Sequence, residues 1–166
     1  FQNMLYQYRD QNDGWYDEVH ALREQYEADL CALIVDNTQY CGIAFLMQTV
    51  DHSFESWAFS LTSWSCATGH YTFAHELGHN FSLRHAPCGG PSGQDQNYPY
   101  GGASIGRWGY DSQNEELLDP ASVVDVMSYC RPKWISDYNF EKVMAFRDEH
   151  DWPAGVPARP FEDALV

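Results

Sequence analysis

Positive charge is scarce in this chain. Nine Lys and Arg stand against 24 Asp and Glu, a net charge of −15 over 166 residues. Such a surface repels phosphate backbones and anionic lipid headgroups, which argues against nucleic acid or a membrane surface as partner. No apolar run approaches the roughly 18 residues of a membrane span. No C-x-x-C pair occurs, so a closed cysteine-based zinc site finds no support. There is no internal repeat and no low-complexity tract. The chain opens on Phe1 rather than Met and carries no signal sequence. It is therefore expected to be a processed or excised piece of something longer. The acidic excess serves solubility first. Bound Ca2+ or a cationic substrate would also suit it, but no calcium-loop motif is present.

What remains is an ordinary globular composition, 44% hydrophobic and 16% aromatic. The length suits one domain with a real core. Cysteine is present in an odd number, five. Cys31 sits inside the apolar run Leu30-Cys31-Ala32-Leu33-Ile34-Val35, where a free thiol behaves as a small hydrophobe. Cys41, Cys66, Cys88 and Cys130 lie at element ends or in loops, which predicts two disulfides and an oxidising, extracytoplasmic location. Four cysteines allow three pairings, and position alone leaves them open.

The densest chemical signal is His75-Glu76-Leu77-Gly78-His79, followed six residues later by His85. Residues four apart share one helical face, so His75 and His79 can aim at one metal ion. Glu76 lies one residue round and can reach a water there without ligating the ion, the arrangement of a zinc peptidase. His85 cannot share that face. It becomes a third ligand only if the helix ends near Ser82 and the chain folds back. Three protein ligands with an open fourth position mark a catalytic rather than a structural zinc site. His20, His52, His70 and His150 show no such spacing and read as solvated or locally bonded side chains.

Periodicity predicts a helix over Tyr16 to Glu27 with Val19, Leu22 and Tyr26 on its apolar side. Leu30 to Val35 reads as a strand buried on both faces. Gly42 to Gln48 and Trp57 to Trp64 read as further strands, and the helix carrying the histidines as Thr72 to about Phe81. Pro87 to Tyr110 reads as a long ordered loop anchored by Tyr98, Tyr100, Ile105, Trp108 and Tyr110. Phe140 to His150 is expected to be a last helix. Trp152 to Val166, with three prolines, reads as an exit segment.

This order of elements, with His75, Glu76, His79 and His85 and with Asp125-Val126-Met127-Ser128-Tyr129, resembles the metzincin metalloproteases. Their signature is H-E-x-x-H-x-x-G-x-x-H followed by a Met-turn. Asp13 to Asn37 and the H-E-L-G-H-N core resemble secreted bacterial reprolysin-like proteases. The Met-Ser-Tyr triplet is more similar to astacins, serralysins and pappalysins. The resemblance implies an α+β fold over residues 1–151, with an N-terminal subdomain to about 85. It implies a small twisted, mostly parallel sheet with an antiparallel edge strand, an active-site helix, and an irregular C-terminal subdomain with Met-turn and final helix. Met127 would lie beneath the zinc, and Tyr129 would approach it and stabilise the oxyanion. With the Met-turn beneath the metal, Cys88 is expected to pair with Cys130, and Cys41 with Cys66 across neighbouring strands. Two departures stand out. Ser82 occupies the place of the family glycine, at a cost on the order of 1 kcal/mol in a left-handed conformation. The strand and long helix that usually open such domains are expected to lie elsewhere, or to be replaced by Phe1 to Asp13.

The resemblance thus implies a secreted, monomeric, bacterial Zn2+ endopeptidase with Glu76 as general base. Ile43, Ala44 and Phe45 would form the cleft rim on which an extended peptide pairs as an added strand. Arg131 and Lys133 would line the pocket after the scissile bond and hint at an acidic or polar preference, with two solvated surface cations as the alternative. Two other readings stay open: a non-catalytic binding or adhesion module on a protease fold, and a glycoprotein-selective protease whose Gly/Tyr-rich loop holds a sugar. Retention of all three histidines and of Glu76 weighs against the module.

Overall fold

Phe59–Ser63 alternates bulky apolar with hydroxyl side chains, and this strand (β3) is buried along its whole length. The structure, a computed structural model, describes residues 1–36 and 39–149. The expected exit segment Trp152 to Val166 and His150 lie outside the described residues. Two helices, α1 (Gln2–Arg9) and α2 (Glu18–Tyr26), precede the first strand, β1 (Cys31–Val35). Next come β2 (Gly42–Ala44), a 3-10 turn at His52–Trp57, β3, and a short helix α3 (Trp64–Ala67). The helix α4 (Thr72–Asn80) carries the His-Glu motif. Beyond it the described strands are only two or three residues long: β4 (Gly109–Asp111), β5 (Glu116–Leu118), β6 (Val124–Asp125) and β7 (Lys133–Trp134). Helix α5 (Asp137–Glu149) follows them.

The three-stranded sheet has the order β1-β3-β2. β3 runs parallel to β1 and antiparallel to β2. One pair of each kind replaces the mostly parallel sheet expected, while the antiparallel edge strand is present. Successive side chains of β3 point to opposite faces. Phe59 and Leu61 join Leu5, Tyr8 and Cys31 in an apolar core beneath α1. Phe1 to Asp13 thus contributes a helix that covers one face of the sheet. Ser60 and Thr62 take the other face, toward α4. A second cluster, Leu83, Ala86, Ala103, Val126 and Met127, fills the C-terminal half.

Several sequence expectations change here. β1 is an edge strand, and Ile34 is 46% exposed, so the run is not buried on both faces. An apolar run does not reveal that its outer neighbour is missing. In α2 it is Arg23 that is buried, while Leu22 and Tyr26 face solvent. The guanidinium is satisfied by three carbonyls, of Ala28, Asp29 and Glu55, at 2.7–3.0 Å. A fully bonded charge can therefore take the inward position that periodicity assigned to leucine. Strand β2 stops at Ala44, because the chain then leaves the sheet to bond α4 through Met47 N–H and the His79 carbonyl, 3.1 Å. The third strand is shorter than Trp57 to Trp64: Trp57 ends the 3-10 turn and Trp64 opens α3. In the long loop Ile105 is buried, but Trp108 and Tyr110 are exposed and anchor nothing.

Candidate metal centre and cleft

Helix α4 places His75, Glu76 and His79 where they are buried. The helix ends at Asn80, and Ser82 turns the chain with φ 66°. Leu83 N–H bonds the Gly78 carbonyl at 2.9 Å and Ser82 N–H bonds that of His79 at 3.1 Å. These are the two bonds of a Schellman ending, which normally uses glycine at the left-handed position. Leu83 then turns inward, 2% exposed, and sends His85 back toward the helix. Gly78 is required by close approach: a Cβ there would lie 2.5 Å from Met127 Sδ. Met127, wholly buried, therefore packs directly against the helix that carries the histidines.

The imidazoles of His75, His79 and His85 converge. Their rings lie 4.6–5.2 Å apart, and one nitrogen from each falls within 4.8 Å of the others. Each Nδ1 meets a backbone carbonyl: His75 that of Val126 at 2.9 Å, His79 that of Leu83 at 2.8 Å, His85 that of Ser92 at 2.6 Å. A carbonyl can only accept, so each Nδ1 carries the proton and each Nε2 is left with a lone pair. Burial, and the neighbouring histidines, push His75 down to about 3 and His79 to about 4. Burial lowers His85 as well. Three neutral, oriented nitrogen donors at one point fit a divalent metal, and this donor set suits zinc.

Glu76 lies beside this cluster against β2. A Cβ at Gly42 would come within 2.6 Å of Glu76 Cγ, so only glycine leaves room for the carboxylate arm. Burial raises the Glu76 pKa to about 8, against the pull of Lys133. A bound cation would act in the opposite sense and favour the carboxylate.

A cleft of about 420 Å³ joins these groups. Ile43 and Ala44 line one side, Tyr129, Arg131 and Lys133 another. Tyr129 is half exposed, its ring 5.1 Å from His85 and 6.0 Å from His75. Phe45 does not line the cleft; its ring packs on Tyr6 and Trp57, because β2 has ended and the chain has turned away. Cys41 is bridged to Cys66, and Cys88 to Cys130. Cys31 is free and buried. His70, read from sequence as a default side chain, lines the cleft, its Nδ1 3.8 Å from Cys41 Sγ. No spacing signal marked it. Sequence reading also missed what holds the turn at Met127 in shape. Asp125, wholly buried, accepts Met127 N–H at 2.7 Å, Ser136 N–H at 2.8 Å and Asn139 Nδ2 at 2.9 Å.

A helix-borne histidine pair, a returning third histidine and an adjacent buried glutamate define a metallopeptidase. Comparison with known proteins carries this further. The family model described as Metallo-peptidase family M12B Reprolysin-like matches residues 2–86. The chain belongs to this family. A second model, Peptidase M66, matches residues 62–144, so the two overlap on the metal helix and His85. The chain is 39% identical over 112 residues to a peptidyl-Asp metalloendopeptidase of Stenotrophomonas maltophilia, covering 65% of this chain and 26% of that protein. It is 39% identical over 101 residues to the protein of the same name from Xanthomonas campestris, covering 61% and 23%. With Dictomallein-1 of Dictyostelium discoideum it shares 35% identity over 83 residues, 45% of this chain and 14% of that one. The chain thus spans about a quarter, or less, of the length of these relatives. Among the described residues no helix is long and apolar enough to cross a membrane.

Proposed function

We propose that this chain is the catalytic domain of a secreted, zinc-dependent endopeptidase that cleaves extracellular proteins beside acidic residues. The observation that carries the reading is the set of three Nδ1–carbonyl bonds, which leaves three Nε2 lone pairs converging next to Glu76. Zinc held by His75, His79 and His85 would supply Lewis-acid polarisation of a water and of the scissile carbonyl. Glu76 takes the proton from the attacking water and delivers it to the leaving nitrogen. Its side chain is buried against Gly42, where a Cβ would collide with it. Tyr129 donates its hydroxyl to the developing oxyanion. The free edge of β2, at Ile43 and Ala44, pairs with an extended substrate. Met127 packs beneath the site and fixes α4 from below. The domain extends over residues 1–151.

Arg131 and Lys133 line the cleft of a protein whose net charge is −15. Two cations kept there against that background suit a carboxylate side chain of the substrate, in keeping with relatives named peptidyl-Asp metalloendopeptidases. The test is a panel of fluorogenic peptides with Asp, Asn or Leu on either side of the scissile bond, assayed with and without chelator. The expected result is chelator-sensitive cleavage favouring Asp over Asn. Arg131→Gln should shrink that preference about tenfold, the worth of one charge-assisted bond. Cleavage that persists in chelator, or no preference among the three residues, would overturn the reading.

A further inference from the structure

His75 and His79 find their Nδ1 acceptors on buried residues. Val126 lies in the turn that Asp125 holds, and Leu83 in the turn that ends α4. His85 does not. It is the least buried of the three histidines, and its acceptor is the carbonyl of Ser92, an exposed loop residue. A neutral imidazole carries its proton on either nitrogen, and the hydrogen bond made at one decides the other. With the Ser92 carbonyl turned away toward water, His85 is free to hold its proton on Nε2, the atom a metal needs. The third ligand therefore depends on whatever keeps Ser92 in place.

The loop from His85 to Asp95 is closed at its neck. Asp95 N–H donates to the His85 carbonyl at 2.8 Å, and His85 and Gln94 form a β-bridge. Ser92 lies just inside that neck. The Asp95 side chain is 6% exposed, and both of its oxygens accept. Oδ1 takes Asn97 N–H at 3.0 Å; Oδ2 takes the Tyr138 hydroxyl and the Lys142 ammonium, each at 3.0 Å. Tyr138 and Lys142 stand on α5, and the Tyr138 ring also packs on Tyr98 at 5.3 Å. A charge-assisted bond at a buried carboxylate is among the stronger polar contacts a fold makes. Helix α5 thus grips the far arm of the loop. The near arm is held separately: Cys88 is bridged to Cys130, and its carbonyl accepts Tyr129 N–H at 3.0 Å.

We propose that Asp95 is a positioning residue for the third metal ligand: braced by Tyr138 and Lys142, it fixes the loop whose Ser92 carbonyl orients His85. The proposal rests on the reading of His85 as a zinc ligand. Asp95 acts through that histidine and touches neither metal nor substrate. The test uses the zinc-loaded chain. NMR follows hydrogen exchange at the Nδ1–H of His75, His79 and His85, and chelator competition gives the zinc affinity. Asp95→Asn keeps the shape and removes the charge. Exchange at His85 should quicken about tenfold, the worth of one hydrogen bond, with His75 and His79 unchanged. Zinc affinity should fall about tenfold or more, as for loss of a group that orients a ligand. Lys142→Met should act in the same direction, and Lys142→Arg should restore wild-type behaviour. Lys142 is partly exposed, so this pair keeps the test decisive if Asp95→Asn does not fold. Wild-type zinc affinity in Asp95→Asn or in Lys142→Met would overturn the proposal. So would equal quickening at all three histidines, which marks general loosening. A wild-type chain whose His85 shows no zinc-bound signal would overturn the metal assignment itself, and the proposal with it.

Discussion

Around β3, Leu5, Tyr8, Phe59 and Leu61 close an apolar core over regular pairing; around Met127, the strands shrink to two or three residues and named polar contacts take over. In that second half, Asp125 gathers three donors, Asp95 is held by Lys142 and Tyr138 at 3.0 Å, and Cys88 is bridged to Cys130. The metal candidates straddle the boundary. His75 and His79 stand on a helix backed by the sheet, whereas His85 depends on the loop that follows. Apolar area tolerates change in proportion to volume. A polar bracket fails at once when its acceptor goes, because each donor it served is left buried and unpaired. The comparison therefore predicts that the two halves break differently.

The largest effects should separate them directly. Asp125→Ala strips three buried donors of their partner and should destabilise by about 3 kcal/mol or more. It should also weaken zinc binding about 10- to 100-fold, because Val126, whose carbonyl orients His75, sits between Asp125 and Met127. Leu61→Ala should cost a similar amount of stability, about 2–5 kcal/mol, with zinc affinity little changed. Chemical denaturation and competitive zinc titration of both variants check this. Equal losses of zinc affinity would erase the distinction.

Glu76→Gln isolates the carboxylate proposed as the base, which α4 holds against β2. Shape and burial are kept and only the basic carboxylate is removed. Peptide cleavage should fall by at least about a hundredfold, with zinc content and melting temperature preserved. Near-normal turnover would remove Glu76 from the role of base.

The smallest effect concerns the junction itself. Ser82 holds φ 66°, and among the described residues its hydroxyl makes no hydrogen bond. Ser82→Gly should leave activity intact and stability equal or higher by up to about 1 kcal/mol. A melting temperature lower by several degrees would mean that the hydroxyl, and not the backbone turn alone, holds His85 in place.

The sequence by itself determined the spacing of His75, Glu76, His79 and His85, the helix that presents the first three, and the need for the chain to fold back near Ser82; the structure gave that turn its left-handed φ of 66°. Those sequence features follow from a 3.6-residue period and from the reach of a chain that must fold back. The sequence also placed α2, β1, β2, β3, α4 and α5 to within a few residues, but not α1, α3 or the short strands β4 to β7. Tertiary structure alone decided that Arg23 lies inside and Leu22 outside, that β1 is an edge, and that Phe45 leaves the cleft while His70 enters it. It alone produced the three carbonyls that fix the histidine tautomers, the Asp125 bracket, and the room that Gly42 leaves for Glu76. The physical reason is range. Periodicity and turn chemistry act between residues a few positions apart. Whether a buried charge finds acceptors, or a carboxylate finds space, depends on groups 30 to 50 residues away, which only the folded chain brings within hydrogen-bond distance.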